Sequence, residues 1–253
     1  MKIAIAPVKN IAQLVELGEA LTSQAANLPG IAVVHGPSGV GKSTGLTWLC
    51  TTRLNACYVR AMQVWSPSSM LQAIARELDV EPSVKLAVTI DRIVAALSAS
   101  GRPLIVDEAD YVVEQARLLN TLRDLHDLST MPLILVGMGD FVRKLRTQTD
   151  QRQFSGRVSL EVEFKPLDLA DMKILTKHVC EVEIADDLLK LVHERSEGVT
   201  RLAVVGLNRI ETFAKEAGLK EVNSTHWGGH SLNLLSGEIG VSRKPRGNAS
   251  AAA

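Results

Sequence analysis

Apolar and polar positions alternate along this chain in two periods, and the switch between them divides it. Ile11, Leu14, Val15 and Leu21 recur at helical spacing, which predicts an amphipathic N-terminal helix that Pro29-Gly30 ends. Ile31–His35 is a continuous apolar run bounded by glycines, the pattern of a buried strand. Ser43 to Arg53 reads as a helix and Ala56 to Arg60 as a second strand. Ser66-Pro67 supplies a cap and a first-turn proline for a helix carrying Leu71, Ile74, Ala75 and Leu78. Val84 to Ser98 predicts another helix, with Ile90, Ile93, Val94 and Leu97 inward. Pro103–Asp107 and Leu133–Gly137 are further buried strands, with a Leu118/Leu119/Leu122/Leu125 helix between them. Val158, Leu160, Val162 and Phe164 alternate, so the fifth strand is half-buried.

Strands separated by helices imply an α/β fold, a five-stranded parallel sheet with helices on both faces and ligands at the C-terminal strand ends. After Lys165-Pro166-Leu167 the pattern turns helical: Asp168 caps one helix, Asp186 starts a second, and Thr200 a third that Gly218 closes. The expected organisation is an N-terminal helix and linker at 1–29, a P-loop NTPase core at 30–165 and a small α-helical lid at 166–220. A C-terminal extension follows at 221–253, and its Arg243-Lys244-Pro245-Arg246 tail is expected to be disordered.

Composition narrows the picture. No apolar run approaches the ~20 residues of a membrane span, so no membrane partner is expected. Cys50, Cys57 and Cys180 have no ligand spacing, which suits buried free thiols in a reducing cytoplasm. The formal net charge is zero, so contact with nucleic acid needs a local basic patch.

The chemistry starts at Gly36-Pro37-Ser38-Gly39-Val40-Gly41-Lys42-Ser43, a complete G-x-x-x-x-G-K-[ST] phosphate loop between a predicted strand and a predicted helix. Its glycines let backbone N–H groups converge on phosphate, and the helix N-terminus adds a positive dipole end. Lys42 reaches the outer phosphates, Ser43 ligates Mg²⁺, and Thr44 follows in the first helical turn. Asp107-Glu108 ends a strand of the same sheet: Asp107 for the metal, Glu108 for the attacking water. An extra strand lies between the loop strand and the Asp107 strand in sequence, as in additional-strand ATPases. Asp107-Glu108-Ala109-Asp110 spells a helicase label, but such helicases resemble two tandem ATPase domains, and this chain has room for one.

Residues 143–157 are rich in arginine. An arginine just before the fifth strand can project from a subunit edge toward a neighbour's γ-phosphate; Arg157 is the first candidate and Arg152 the second. The other reading of this segment is contact with DNA phosphates through Arg143, Lys144 and Arg146, joined by Arg53 and Arg60 beside the second strand. Gly198-Val199-Thr200-Arg201 puts a cation in the first turn of a lid helix, where the dipole disfavours it unless an anion binds; Arg201 is the candidate γ-phosphate sensor. Two features carry weaker chemistry. His226-Trp227-Gly228-Gly229-His230 lacks ligand-spaced partners and reads as a loop or packing contact, and Trp65 suits either an exposed aromatic or the core.

Together, Gly36–Ser43, Asp107-Glu108, Phe154–Arg157 and Gly198–Arg201 before a helical lid resemble an AAA+ ATPase, over roughly residues 8–218. Within that class the chain is most similar to the phage Mu B and transposon target-selection ATPases. The resemblance implies ATP and Mg²⁺ as ligands, with Val8 to Ile11 enclosing the base. It implies an ATP-dependent homo-oligomer or helical filament on double-stranded DNA without sequence preference, and a transposase as client, in a bacterial host's cytoplasm. Met138-Gly139-Asp140 follows the fourth strand where many members place an asparagine or threonine sensor, which fits a slow switch. A helicase-loader or replication-initiation ATPase, a nucleotide-gated DNA scaffold with little hydrolysis, and a small-molecule phosphotransferase stay open as alternatives.

Overall fold

The computed structural model describes residues 1–23, 30–147, 152–228, 230 and 232. Five strands, β1 (Ile31–His35), β2 (Cys57–Arg60), β3 (Leu104–Asp107), β4 (Leu133–Gly137) and β5 (Val158–Glu163), form one parallel sheet in the order β2-β3-β4-β1-β5. The continuous apolar runs become the interior strands β1, β3 and β4, buried at every position. The alternating run becomes the edge strand β5, whose even-numbered residues are half-buried and odd-numbered ones largely exposed.

Alternate strand residues feed two separate cores, as the two-residue period of a strand requires. Ile31, Val33, Val59, Leu104, Val106, Leu133 and Leu135 pack with α3 (Pro67–Glu77), α4 (Leu86–Ser100), α6 (Ala116–Ser129) and α7 (Gly139–Thr147). Ala32, Val34, Ile105, Ile134 and Val136 pack with α1 (Lys9–Ser23) and α2 (Lys42–Leu49). A π-helical turn, Cys50–Leu54, continues α2, so the helical run expected to Arg53 is present with its last turn widened. Ser66 caps α3 through a reciprocal bond with Ser69, with Pro67 in the first turn, as the sequence indicated.

The segment after β5 has its own core, built from α9 (Leu169–Val179), α10 (Asp186–Ser196) and α11 (Thr200–Glu216). Asp168 caps α9 by accepting from Asp171 N–H, and Gly218, at φ 67°, follows the end of α11. The lid is not purely helical. Glu183–Ile184 (β6) pairs in parallel with Glu221–Val222 (β7), and the short α12 (Ser224–Trp227) follows. Ala6 and Val8 pack into this lid core, so the chain's first residues bridge back to it. Among the described residues, no helix is long and apolar enough to cross a membrane.

Candidate functional site

The phosphate loop leaves the C-terminal end of β1 and enters α2. Three of its glycines have positive φ: Gly36 at 151°, Gly39 at 81° and Gly41 at 95°. At Gly36 a Cβ would stand 2.2 Å from the Phe164 carbonyl oxygen, so no larger residue fits that turn. Lys42 Nζ donates to the Gly36 and Pro37 carbonyls, both at 2.7 Å, which folds the lysine over the loop. Burial pushes the Lys42 pKa below the ordinary lysine value; Asp107, Asp110 and Glu108 pull it back up, and Arg201 depresses it further. A partly buried cation beside a second cation gains from an anion placed between them, which is where phosphates belong.

The acid pair sits across β4 from the loop strand. Asp107 is 2% exposed, and both of its oxygens accept hydrogen bonds. Oδ1 accepts from Glu108 N–H at 2.8 Å and Oδ2 from the Tyr58 hydroxyl at 2.7 Å. Burial, and then the hydrogen bond to Asp107, push the Tyr58 phenol above its usual range, so it stays a donor. Glu108 has a left-handed backbone, φ 54°, and its Oε1 accepts from Arg60 at 3.0 Å. Asp110 closes the far side by accepting from Met138 N–H at 2.9 Å. Burial raises the Asp110 pKa, and that N–H opposes the rise. Gly137 is obligatory beside it, because a Cβ would lie 2.5 Å from Asp110 Oδ2.

A cleft of about 900 Å³ joins these groups, large enough for a nucleotide. Its walls are the loop from Ser38 to Gly45, Asp107 and Glu108, the first residues of the chain, and the first turns of α11 with Arg201. Val8 and Ile11 line its apolar end, where the base was expected. Asn10 fixes that end by a two-way clamp on Lys165: its Nδ2 donates to the carbonyl at 2.8 Å and its Oδ1 accepts from the N–H at 3.1 Å.

The lid is bonded directly to the loop. Arg201 N–H donates to the Gly39 carbonyl at 2.9 Å, and the Thr200 hydroxyl donates to the Val40 carbonyl at 3.1 Å. The N-terminus of α11 is therefore tied to the back of the loop while the Arg201 side chain faces the cleft.

The residues present fit ATP and Mg²⁺. Gly39 and Gly41 shape a concave backbone, Lys42 and Arg201 supply positive charge, and Ser43 and Asp107 offer the two hard oxygen donors that Mg²⁺ takes. Among the described residues no group of three His, Cys, Asp or Glu side chains is placed to hold a metal.

The structure also places the remaining candidate residues. Arg60, largely exposed, reaches Glu108 at 3.0 Å. Arg143 faces Asp140, Lys144 faces Glu114, Arg146 faces Glu161 and Arg53 faces Glu19, so each expected DNA contact has an acidic partner. Arg157 stands before β5, at the end of the sheet away from its own phosphate loop, and binds both oxygens of Asp127 on α6 at 3.0 and 2.9 Å. Arg152 begins the short α8 (Arg152–Ser155), and its side chain lies outside the described residues, as does the Arg243-Lys244-Arg246 tail. Trp65 is 5% exposed in the core, while Met62 and Val64 beside it are the exposed apolar residues of that loop. Trp227 and His230 pack with Phe213 as a ring cluster, with centroids 5.0–5.5 Å apart.

The sequence reading missed Tyr58, the clamp from Asn10 to Lys165 and the lining by residues 1–6. The signal for Tyr58 was a polar-tipped aromatic two residues before Arg60, which a strand places on the same face.

A β1–loop–α2 unit, an acid pair at the end of β3 and β4 inserted between them define a P-loop NTPase fold with the strand arrangement of AAA+ ATPases. In agreement, residues 26–145 match the family described as AAA domain. In an alignment of 199 residues that covers 71% of this chain, it is 27% identical to the replication factor C large subunit of Aeropyrum pernix, of which the match covers 34%. The chain thus spans between a third and two fifths of the curated relatives it matches. Among solved structures it is similar to the Aeropyrum pernix ORC2 protein in its ADPNP–ADP complexes, with a TM-score of 0.69 and 15% identity over 89% of this chain and 68% of that one. The Aeropyrum pernix ORC1 protein in complex with DNA gives 0.61 and 17%, over 89% and 64%. At those identities the solved structures speak for the fold alone.

Proposed function

We propose that this chain is an ATP-hydrolysing switch that assembles with copies of itself on double-stranded DNA and presents that DNA to a client protein. The observation that carries the reading is the cleft that brings Lys42, Ser43, Asp107, Glu108 and Arg201 together. Lys42 and the loop N–H groups bind and orient the phosphates. Ser43 and Asp107 hold Mg²⁺, which when bound neutralises charge on the phosphate oxygens. Glu108 orients a water for in-line attack and accepts its proton. Arg201 meets the γ-phosphate and, being fixed to the loop through its own backbone, passes the presence of that group to the lid.

Arg157 belongs to a second site. It cannot reach its own phosphates from the far end of β5, and it stands partly exposed on the subunit edge. A neighbour's γ-phosphate is the anion it would serve, so ATP favours assembly and hydrolysis weakens it. DNA contact then comes from many weak phosphate contacts repeated along the assembly, which gives avidity without sequence reading.

For the client, the loop, acid-pair and lid motifs support a transposase, by resemblance to the target-selection ATPases. The names of the relatives favour a second reading, a replication client, since one is a replication factor C subunit and another was solved with DNA. ATPase assays with duplex DNA, and then with each class of client added, separate the two. Turnover that ignores DNA and protein concentration and needs a small acceptor would contradict both.

A further inference from the structure

We propose that Tyr58 is a positioning residue for the metal-binding carboxylate of Asp107; the inference rests on the ATPase reading above. β2 carries none of the groups that would touch substrate, yet it aims two side chains at the acid pair. Tyr58 and Arg60 lie at i and i+2, on one face of the strand, and the in-register pairing Arg60↔Asp107 sets them beside β3. Arg60 takes Glu108, and Tyr58 takes Asp107.

The two contacts differ in kind. Arg60 is largely exposed, whereas the Tyr58 ring packs against the core shared by β1, β3 and β4, and its hydroxyl meets a carboxylate that is 2% exposed. Asp107 Oδ1 is committed to Glu108 N–H, so the carboxylate has one remaining rotational freedom, and the Tyr58 hydroxyl removes it by holding Oδ2. A buried carboxylate without that donor lacks a partner and a fixed direction. With it, the carboxylate keeps one orientation in the cleft that Asp107 and Ser43 both line. Partners of this kind set metal affinity without touching the metal.

The test is equilibrium binding of a fluorescent ATP analogue to the full chain, titrated with Mg²⁺ and repeated in EDTA. Tyr58→Phe keeps the ring in the core and removes only the hydroxyl. The expected result is an unchanged metal-free affinity and a Mg²⁺ midpoint raised about tenfold. An unchanged Mg²⁺ midpoint overturns the proposal. Loss of metal-free binding as well also overturns it, because the hydroxyl would then act on the fold. If wild-type protein shows no Mg²⁺ dependence at all, it is the ATPase reading that fails, which the wild-type titration alone reveals.

Discussion

Gly36 sets the geometry of the site more tightly than any charged residue does. Its φ of 151° and the 2.2 Å approach to Phe164 leave no room for a side chain. Gly36→Ala is expected to lower stability by roughly 2–5 kcal/mol, combining backbone strain with overpacking. Gly101→Ala, also at positive φ but with no atom near its Cβ, is expected to lose only the backbone part, about 1–2 kcal/mol. Urea melts of the two variants check the difference. Among the acids, Glu108→Gln is expected to keep ATP binding and cut turnover by about 10²–10⁴-fold, the share a positioned base contributes. Arg60→Ala should do the reverse. An exposed ion pair is worth ~0.2–1 kcal/mol, so freeing Glu108 should raise basal turnover by about 1.4- to 5-fold. A fall in turnover would mean that Arg60 aims Glu108 instead of restraining it. The loop and the acid pair were legible in the sequence because each is a contiguous run whose neighbours fix its backbone. The partners were not: Tyr58 and Arg60 are 49 and 48 residues from the acids they hold, and only the adjacency of β2 and β3 joins them.

At the scale of elements, the strands followed from the hydrophobic pattern because burial on one face or two writes itself as alternation or as a continuous run. β6 and β7 escaped because two residues each are too few to show a period. α7 escaped for another reason. Residues 143–157 drew attention as an arginine-rich segment, while Phe141, Val142 and Leu145, buried at helical spacing, carried the true signal. On that helix Arg143, Lys144 and Arg146 pair with Asp140, Glu114 and Glu161, and the two arginines stay largely exposed. The element that couples site and lid is α11, through Thr200 and Arg201. Thr200→Val removes the hydroxyl bond to Val40, worth about 1 kcal/mol. If this bond transmits nucleotide state, proteolytic protection of the lid by ATP should weaken in the variant while ATP affinity falls by no more than about fivefold.

Among the described residues, a nucleotide-sized cleft lies at the C-terminal end of the sheet, and at the opposite end of β5 stands an arginine that this cleft cannot use. In a single chain the Arg157 guanidinium is held by both oxygens of Asp127. In the proposed assembly a γ-phosphate from a neighbour would have to take it over, which would link assembly and catalysis through one cation with two competing anions. The most direct test mixes two inactive variants. Glu108→Gln subunits bind ATP and bring an intact Arg157; Arg157→Ala subunits bring an intact Glu108. Each alone is expected to lose turnover, the arginine variant by about 10³–10⁵-fold. Titrating one against the other in the presence of DNA should restore ATP hydrolysis, with a maximum at an intermediate ratio. Turnover that stays at the level of the separate variants at every ratio would contradict the composite site, and with it the account of this chain as a self-assembling ATP switch.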